Sequence, residues 1–176
     1  VLFQDRVHQA CQYAQRRRSR FAVIFMDLDH FKHVNDSLGH AVGDDLLKTI
    51  AQRLTQTLRG SDTVCRLGGN EFVMLLSEIS GPDDVGEVAK KILREVAVPC
   101  MLEGTEVNVG ISLGIAVYPG DGDDPETLMK HADAAMYRSK REGRNRYQFF
   151  SKEGDQAASV RLRLEADIRR GLVEGQ

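Results

Sequence analysis

The chain has 176 residues, with 24 Lys and Arg against 26 Asp and Glu and a formal net charge of −2. That length suits one domain with a full core plus a tail, and the near-neutral balance excludes a global basic field for a nucleic acid polymer or a membrane. The longest apolar runs, 21–26 and 73–76, fall far below the roughly 18 residues of a membrane span, and Cys11, Cys65 and Cys100 lack metal-ligand spacing, which points to reduced thiols in a cytoplasmic protein.

Leu2, Phe3, Val7, Ala10, Cys11 and Ala14 recur at helical spacing, and Arg16, Arg17 and Arg18 close that helix with cations at its C-terminal end. The apolar run 21–26 predicts a central strand ending in Asp27-Leu28-Asp29. A polar loop with Gly39 and Gly43 then leads to a helix whose face is Leu46, Leu47, Ile50, Leu54 and Leu58. Residues 63–66 and 71–76 flank Gly68-Gly69 as a hairpin.

Pro82 opens the next helix, with Val85, Val88, Ala89, Ile92, Leu93 and Val96 inward. A second hairpin, 99–102 with 107–117, turns at Glu103-Gly104, and Pro125 opens a helix carrying Leu128, Met129, Ala132, Ala135 and Met136. Residues 147–150 form the last strand. The order α-β-α-β-β-α-β-β-α-β predicts an α+β fold, with helices flanking a mostly antiparallel central sheet. Beyond a polar linker at 151–158, Val160, Leu164, Ile168 and Leu172 recur every four residues, a stripe with no partner in its own segment.

Asp27 ends the first strand and Glu71 follows the hairpin tip, so neighbouring strands would bring the two carboxylates together. Hard oxygen ligands on rigid strands suit Mg²⁺ carrying a triphosphate, although strand-end acids also cap turns. Lys140 and Arg144 read alone as a solvated helix end. Arg59-Gly60-Ser61-Asp62 reads alone as surface charge. His30, His33 and His40 fit no metal-ligand pattern and are set aside.

The segment Arg66-Leu67-Gly68-Gly69-Asn70-Glu71-Phe72 resembles the signature loop of the GGDEF family, the diguanylate cyclases. Asp27-Leu28-Asp29-His30-Phe31-Lys32, Asn35-Asp36, Gly39-His40, Gly43-Asp44, Ser112-Leu113-Gly114-Ile115 and the late Tyr137, Lys140, Gly143, Arg144 and Asn145 match the same pattern, so the resemblance covers residues 1–150. It implies a ferredoxin-like palm of the nucleotide-cyclase type. It also implies that Asp27, the Leu28 carbonyl and Glu71 hold Mg²⁺ or Mn²⁺. Asn35 and Asp44 are expected to read guanine. Lys32, Lys140 and Arg144, with backbone near Phe31 and at Gly68 and Gly69, are expected to meet the phosphates of GTP.

Arg59 and Asp62 resemble the family's inhibitory site for cyclic di-GMP. The tail, 151–176, resembles the helix leading into an EAL-type phosphodiesterase domain. Val1 is not a natural start, so an upstream sensory region is expected, and the chain is then the cytosolic part of a larger, membrane-attached sensor. One residue departs from the pattern. The family carries an acid where this chain has Asn70, and an amide takes up no proton. The expected function is therefore a degenerate cyclase domain that binds GTP, cyclic di-GMP or both and regulates an attached phosphodiesterase. The competing expectation is an active cyclase that condenses two GTP in a homodimer.

Overall fold

The computed structural model describes residues 2–157 and residue 160. Its elements in chain order are α1 (Leu2–Arg17), β1 (Arg20–Leu28), α2 (Phe31–Leu38), α3 (His40–Thr57), β2 (Thr63–Gly68) and β3 (Glu71–Ile79). There follow α4 (Pro82–Ala97), β4 (Cys100–Leu102), β5 (Thr105–Val107), β6 (Ile111–Tyr118), α5 (Pro125–Arg141) and β7 (Arg146–Phe149). Five strands form the central sheet in the order β2-β3-β1-β6-β7. Every neighbouring pair is antiparallel except β6 with β7, which makes this the expected α+β architecture.

Both faces of the sheet are covered, which is why β1 reads as a continuous apolar run rather than an alternation. Ala22, Ile24, Met26 and Leu28 of β1 face a core built with Leu46, Ile50 and Leu54 of α3 and Val85, Ala89 and Ile92 of α4. Phe21, Val23 and Phe25 face a second core with Phe3 and Val7 of α1 and Leu128, Ala132 and Met136 of α5. Strand parity thus assigns each residue of β1 to one helical layer.

Two expectations need correction. The segment after Asp29 is no simple loop, because 31–38 is helical. Phe31 and Val34 are only partly buried against the α3 layer and no α2 residue is fully buried, so a helical stripe was hard to see. Gly39, at φ +90°, separates α2 from α3, and Gly43 lies inside α3. The predicted second hairpin is also divided. β4 pairs with β5 as a separate two-stranded sheet, while β6 leaves it to sit between β1 and β7.

Within the expected linker, residues 152–157 are helical, and Ser151 Oγ accepts from Gly154 N at 3.0 Å. The rest of the tail stripe, Leu164, Ile168 and Leu172, lies outside the described residues. Cys11, Cys65 and Cys100 are unpaired, and burial pushes the Cys11 thiol up to about 11.

Candidate functional site

Antiparallel pairing sets Asp27 directly opposite Glu71, so the two acids converge as the sequence predicts. Parity puts them, with Asp29, on the α5 side of the sheet. Two residues, Gly69 and Asn70, join β2 to β3, and Gly69 takes φ +52°. Arg66 Nε donates to Gly69 O at 2.9 Å and closes the turn from its own strand.

Asn70 binds the hairpin tip to the end of β1. Its backbone carbonyl accepts from Leu28 N at 3.2 Å. Its side-chain Nδ2 donates to Asp27 Oδ1 at 2.6 Å and to Leu28 O at 2.9 Å. Both partners are pure acceptors, which fixes the nitrogen end of the amide toward them. The other Asp27 oxygen, Oδ2, accepts from Lys140 Nζ at 2.6 Å. Asp27 is 6% exposed, so this carboxylate is largely removed from water, and its two oxygens accept one bond each, from an amide and from an ammonium.

Lys140 reaches Asp27 because α5 lies close on β6. A Cβ at Gly114 would stand 2.0 Å from Met136 N and 2.1 Å from Ala132 O, so glycine at that point permits the approach. Ser139 Oγ adds a bond to Leu113 O at 2.6 Å. Beyond α5, Arg144 and Asn145 take φ +61° and +47°. Asp29 holds this turn, accepting from Asn145 N at 3.0 Å and from Ser112 Oγ at 2.7 Å. Arg144 itself is exposed.

The expected guanine readers sit on the other side of the hairpin. Asn35 Oδ1 is buried and has no hydrogen-bond partner, which is costly unless a ligand supplies a donor. Gly43 lets this atom in, since a Cβ there would lie 1.8 Å from it. Asp44 is exposed and borders an open cleft of about 540 Å³ with Leu47, Lys48, Val64, Arg66 and Phe72. Lys32 is exposed in the first turn of α2, where backbone N–H groups lack intrahelical acceptors.

Asp62 and Arg59 lie apart from this cluster, in the turn before β2. Asp62 Oδ2 accepts from Arg59 N at 3.0 Å and Oδ1 from Ser77 N at 3.1 Å, so this carboxylate has a structural job already. Arg59 is exposed.

The resemblance implies a divalent cation on Asp27, Leu28 O and Glu71, and the residues present do not fit one as they are arranged. The Asp27 and Leu28 oxygens share the Asn70 amide nitrogen, and Lys140 takes the remaining Asp27 oxygen. Among the described residues no group of three or more His, Cys, Asp or Glu is gathered for a metal ion.

Sequence reasoning missed the support provided by Asp29, Ser112, Ser139 and Asn145. The Asp27-Leu28-Asp29 spacing carried part of that signal, because residues two apart on a strand share a face. It also missed Asp133 of α5, whose carboxyl is raised by desolvation against the pull of Lys140.

Known proteins share the sequence and fold of this chain. The family described as "Diguanylate cyclase, GGDEF domain" matches residues 1–146. The bifunctional diguanylate cyclase/cyclic di-GMP phosphodiesterase MucR of Pseudomonas aeruginosa is 46% identical over 176 residues, covering 100% of this chain and 26% of that protein. The cyclic di-GMP phosphodiesterase NbdA of the same organism is 37% identical over 168 residues, covering 96% of this chain and 21% of that protein. The crystal structure of the GGDEF domain of TpbB (YfiN) from Pseudomonas aeruginosa superposes with a TM-score of 0.84 at 40% identity, covering 85% of this chain and 94% of that one. The chain thus spans about a quarter of the length of the curated relatives named here. Sharing their sequence across almost its whole length and their fold, the chain belongs to the diguanylate cyclase GGDEF-domain family.

Proposed function

We propose that this domain works in cyclic di-GMP signalling as a guanosine-nucleotide sensor with impaired cyclase chemistry, which regulates an attached phosphodiesterase domain. The observation that carries the reading is the Asn70 amide, bonded to Asp27 and Leu28 O at the hairpin tip. An amide has no proton-accepting role to offer an attacking hydroxyl, and loss of a general base costs about 10²–10⁴-fold in rate. Binding groups remain. The unpartnered Asn35 Oδ1 suits a guanine N–H, and the Asp44 carboxylate beside the cleft suits guanine N1–H and N2–H₂. Lys32, Arg144 and the first turn of α2 offer positive charge and N–H donors to phosphates.

The phosphodiesterase connection rests on the relatives, since MucR and NbdA both carry phosphodiesterase in their names. Cyclic di-GMP is assigned to exposed Arg59, with Asp62 shaping the turn beneath it. The competing reading, an active homodimeric cyclase, is favoured by Glu71 standing opposite Asp27.

One experiment weighs both. The purified protein is incubated with GTP and Mg²⁺, product is measured by chromatography, and GTP and cyclic di-GMP binding by calorimetry. We expect GTP to bind while cyclic di-GMP forms at least about 10²-fold slower than in Asn70→Asp. Equal rates in the two proteins would establish the cyclase reading instead. Arg59→Ala is expected to abolish cyclic di-GMP binding and spare GTP. Unchanged binding of both would reduce Arg59 and Asp62 to a surface turn.

A further inference from the structure

We infer that Asn70 and Lys140 together replace the divalent cation, so that guanosine nucleotide binding in this domain does not depend on metal. The inference rests on the GTP-binding reading and says how that site is regulated. A cation at this end of the sheet has two tasks: to satisfy the inward oxygens of Asp27 and Leu28, and to offset negative charge near the phosphates. Here the first task is already done. Asn70 Nδ2 serves Asp27 Oδ1 and Leu28 O with its two N–H groups, and Lys140 Nζ serves Asp27 Oδ2.

The second task is met by composition. An amide in place of an acid removes one negative charge. Lys140 is paired with Asp27, and the exposed Lys32 and Arg144 supply positive charge for the phosphates.

Without a cation the amide keeps this orientation, because turning it over would point its oxygen at the Asp27 and Leu28 oxygens, which repel it. A cation entering at Asp27 Oδ1 and Leu28 O must break both Asn70 bonds, at a carboxylate that is 6% exposed and already paired with Lys140. Charge-assisted bonds to a largely buried group are among the stronger ones in a protein, so their loss opposes entry. Asn70 therefore acts as a plug as well as a missing acid.

The test compares GTP binding by calorimetry in EDTA and in Mg²⁺, with Mn²⁺ alone titrated separately and free ion read by electron paramagnetic resonance. In the wild-type chain the GTP Kd is expected to change by less than about threefold between the two conditions, and Mn²⁺ alone to remain free. Asn70→Asp is expected to acquire a Mn²⁺ site. That variant places a third carboxylate against Asp27, so its Tm in EDTA should fall by about 2–8 °C and recover with Mg²⁺, while the wild-type Tm stays constant. GTP binding that appears only with Mg²⁺ would overturn the inference and leave the sensor reading standing. Binding in neither condition would overturn both. Wild-type Mn²⁺ binding as tight as that of Asn70→Asp would also overturn the inference.

Discussion

Gly43 shows how one residue without a side chain sets the presentation of another. Its backbone passes so near Asn35 that a methyl group would stand 1.8 Å from Oδ1 and 3.3 Å from the Phe31 ring. The obstructed atom is the end of a flexible amide, so Gly43→Ala should move Asn35 rather than unfold α3, where Ala is favoured over Gly by roughly 1 kcal/mol. We expect unchanged helical circular dichroism together with at least about tenfold weaker GTP binding by calorimetry, because the buried acceptor no longer meets guanine. Unchanged affinity would show that Asn35 does not read the base. The residue types of Asn35 and Asp44 were legible in the sequence through the family pattern. The orphaned state of Asn35 Oδ1 was not, since it depends on the α2–α3 turn that the apolar pattern missed.

At the scale of elements, the contact of α5 with β6 positions the site. At Gly114 the strand lies against the main chain of Ala132, Ala135 and Met136. Gly114→Ala must push the helix backbone outward, because both obstructing atoms, Met136 N and Ala132 O, are main chain. Overpacking of this kind costs about 1–3 kcal/mol. Thermal denaturation of Gly114→Ala should show that loss, and a Tm equal to wild type would disprove the close packing. The presence of α1, α3, α4 and α5 followed from apolar spacing and the starts of α4 and α5 from Pro82 and Pro125, whereas α3 begins at His40, ahead of the Gly43 that reads as loop. The division of 99–117 into three strands did not. Asn108, Val109 and Gly110 interrupt the run, but only the exchange between β1 and β6, in which Asp29 N donates to Gly110 O at 2.9 Å, shows where the chain changes sheets.

For the whole molecule, one sheet serves two cores. Tyr118 belongs to the α1/α5 layer and Tyr147 packs against the α3/α4 layer, while β1, β3 and β6 contribute alternate residues to both. Neither layer can lose its packing without exposing strands that the other needs. Unfolding in urea is therefore expected to give coincident midpoints by far-ultraviolet circular dichroism and by tyrosine fluorescence. Two separated transitions would show that the layers are independent.

The sequence by itself determined the family pattern, the α+β class, the placing of an acid at each of two strand ends and the identity of Asn70. These depend on residue type and on local periodicity, which a linear chain displays openly. Tertiary structure decided what Asn70 does. Its amide meets Asp27 and Leu28 across 43 and 42 positions of sequence, and Lys140 meets Asp27 across 113. Which donor satisfies a buried carboxylate is settled by strand register and helix height, and neither is written in any local window of the chain.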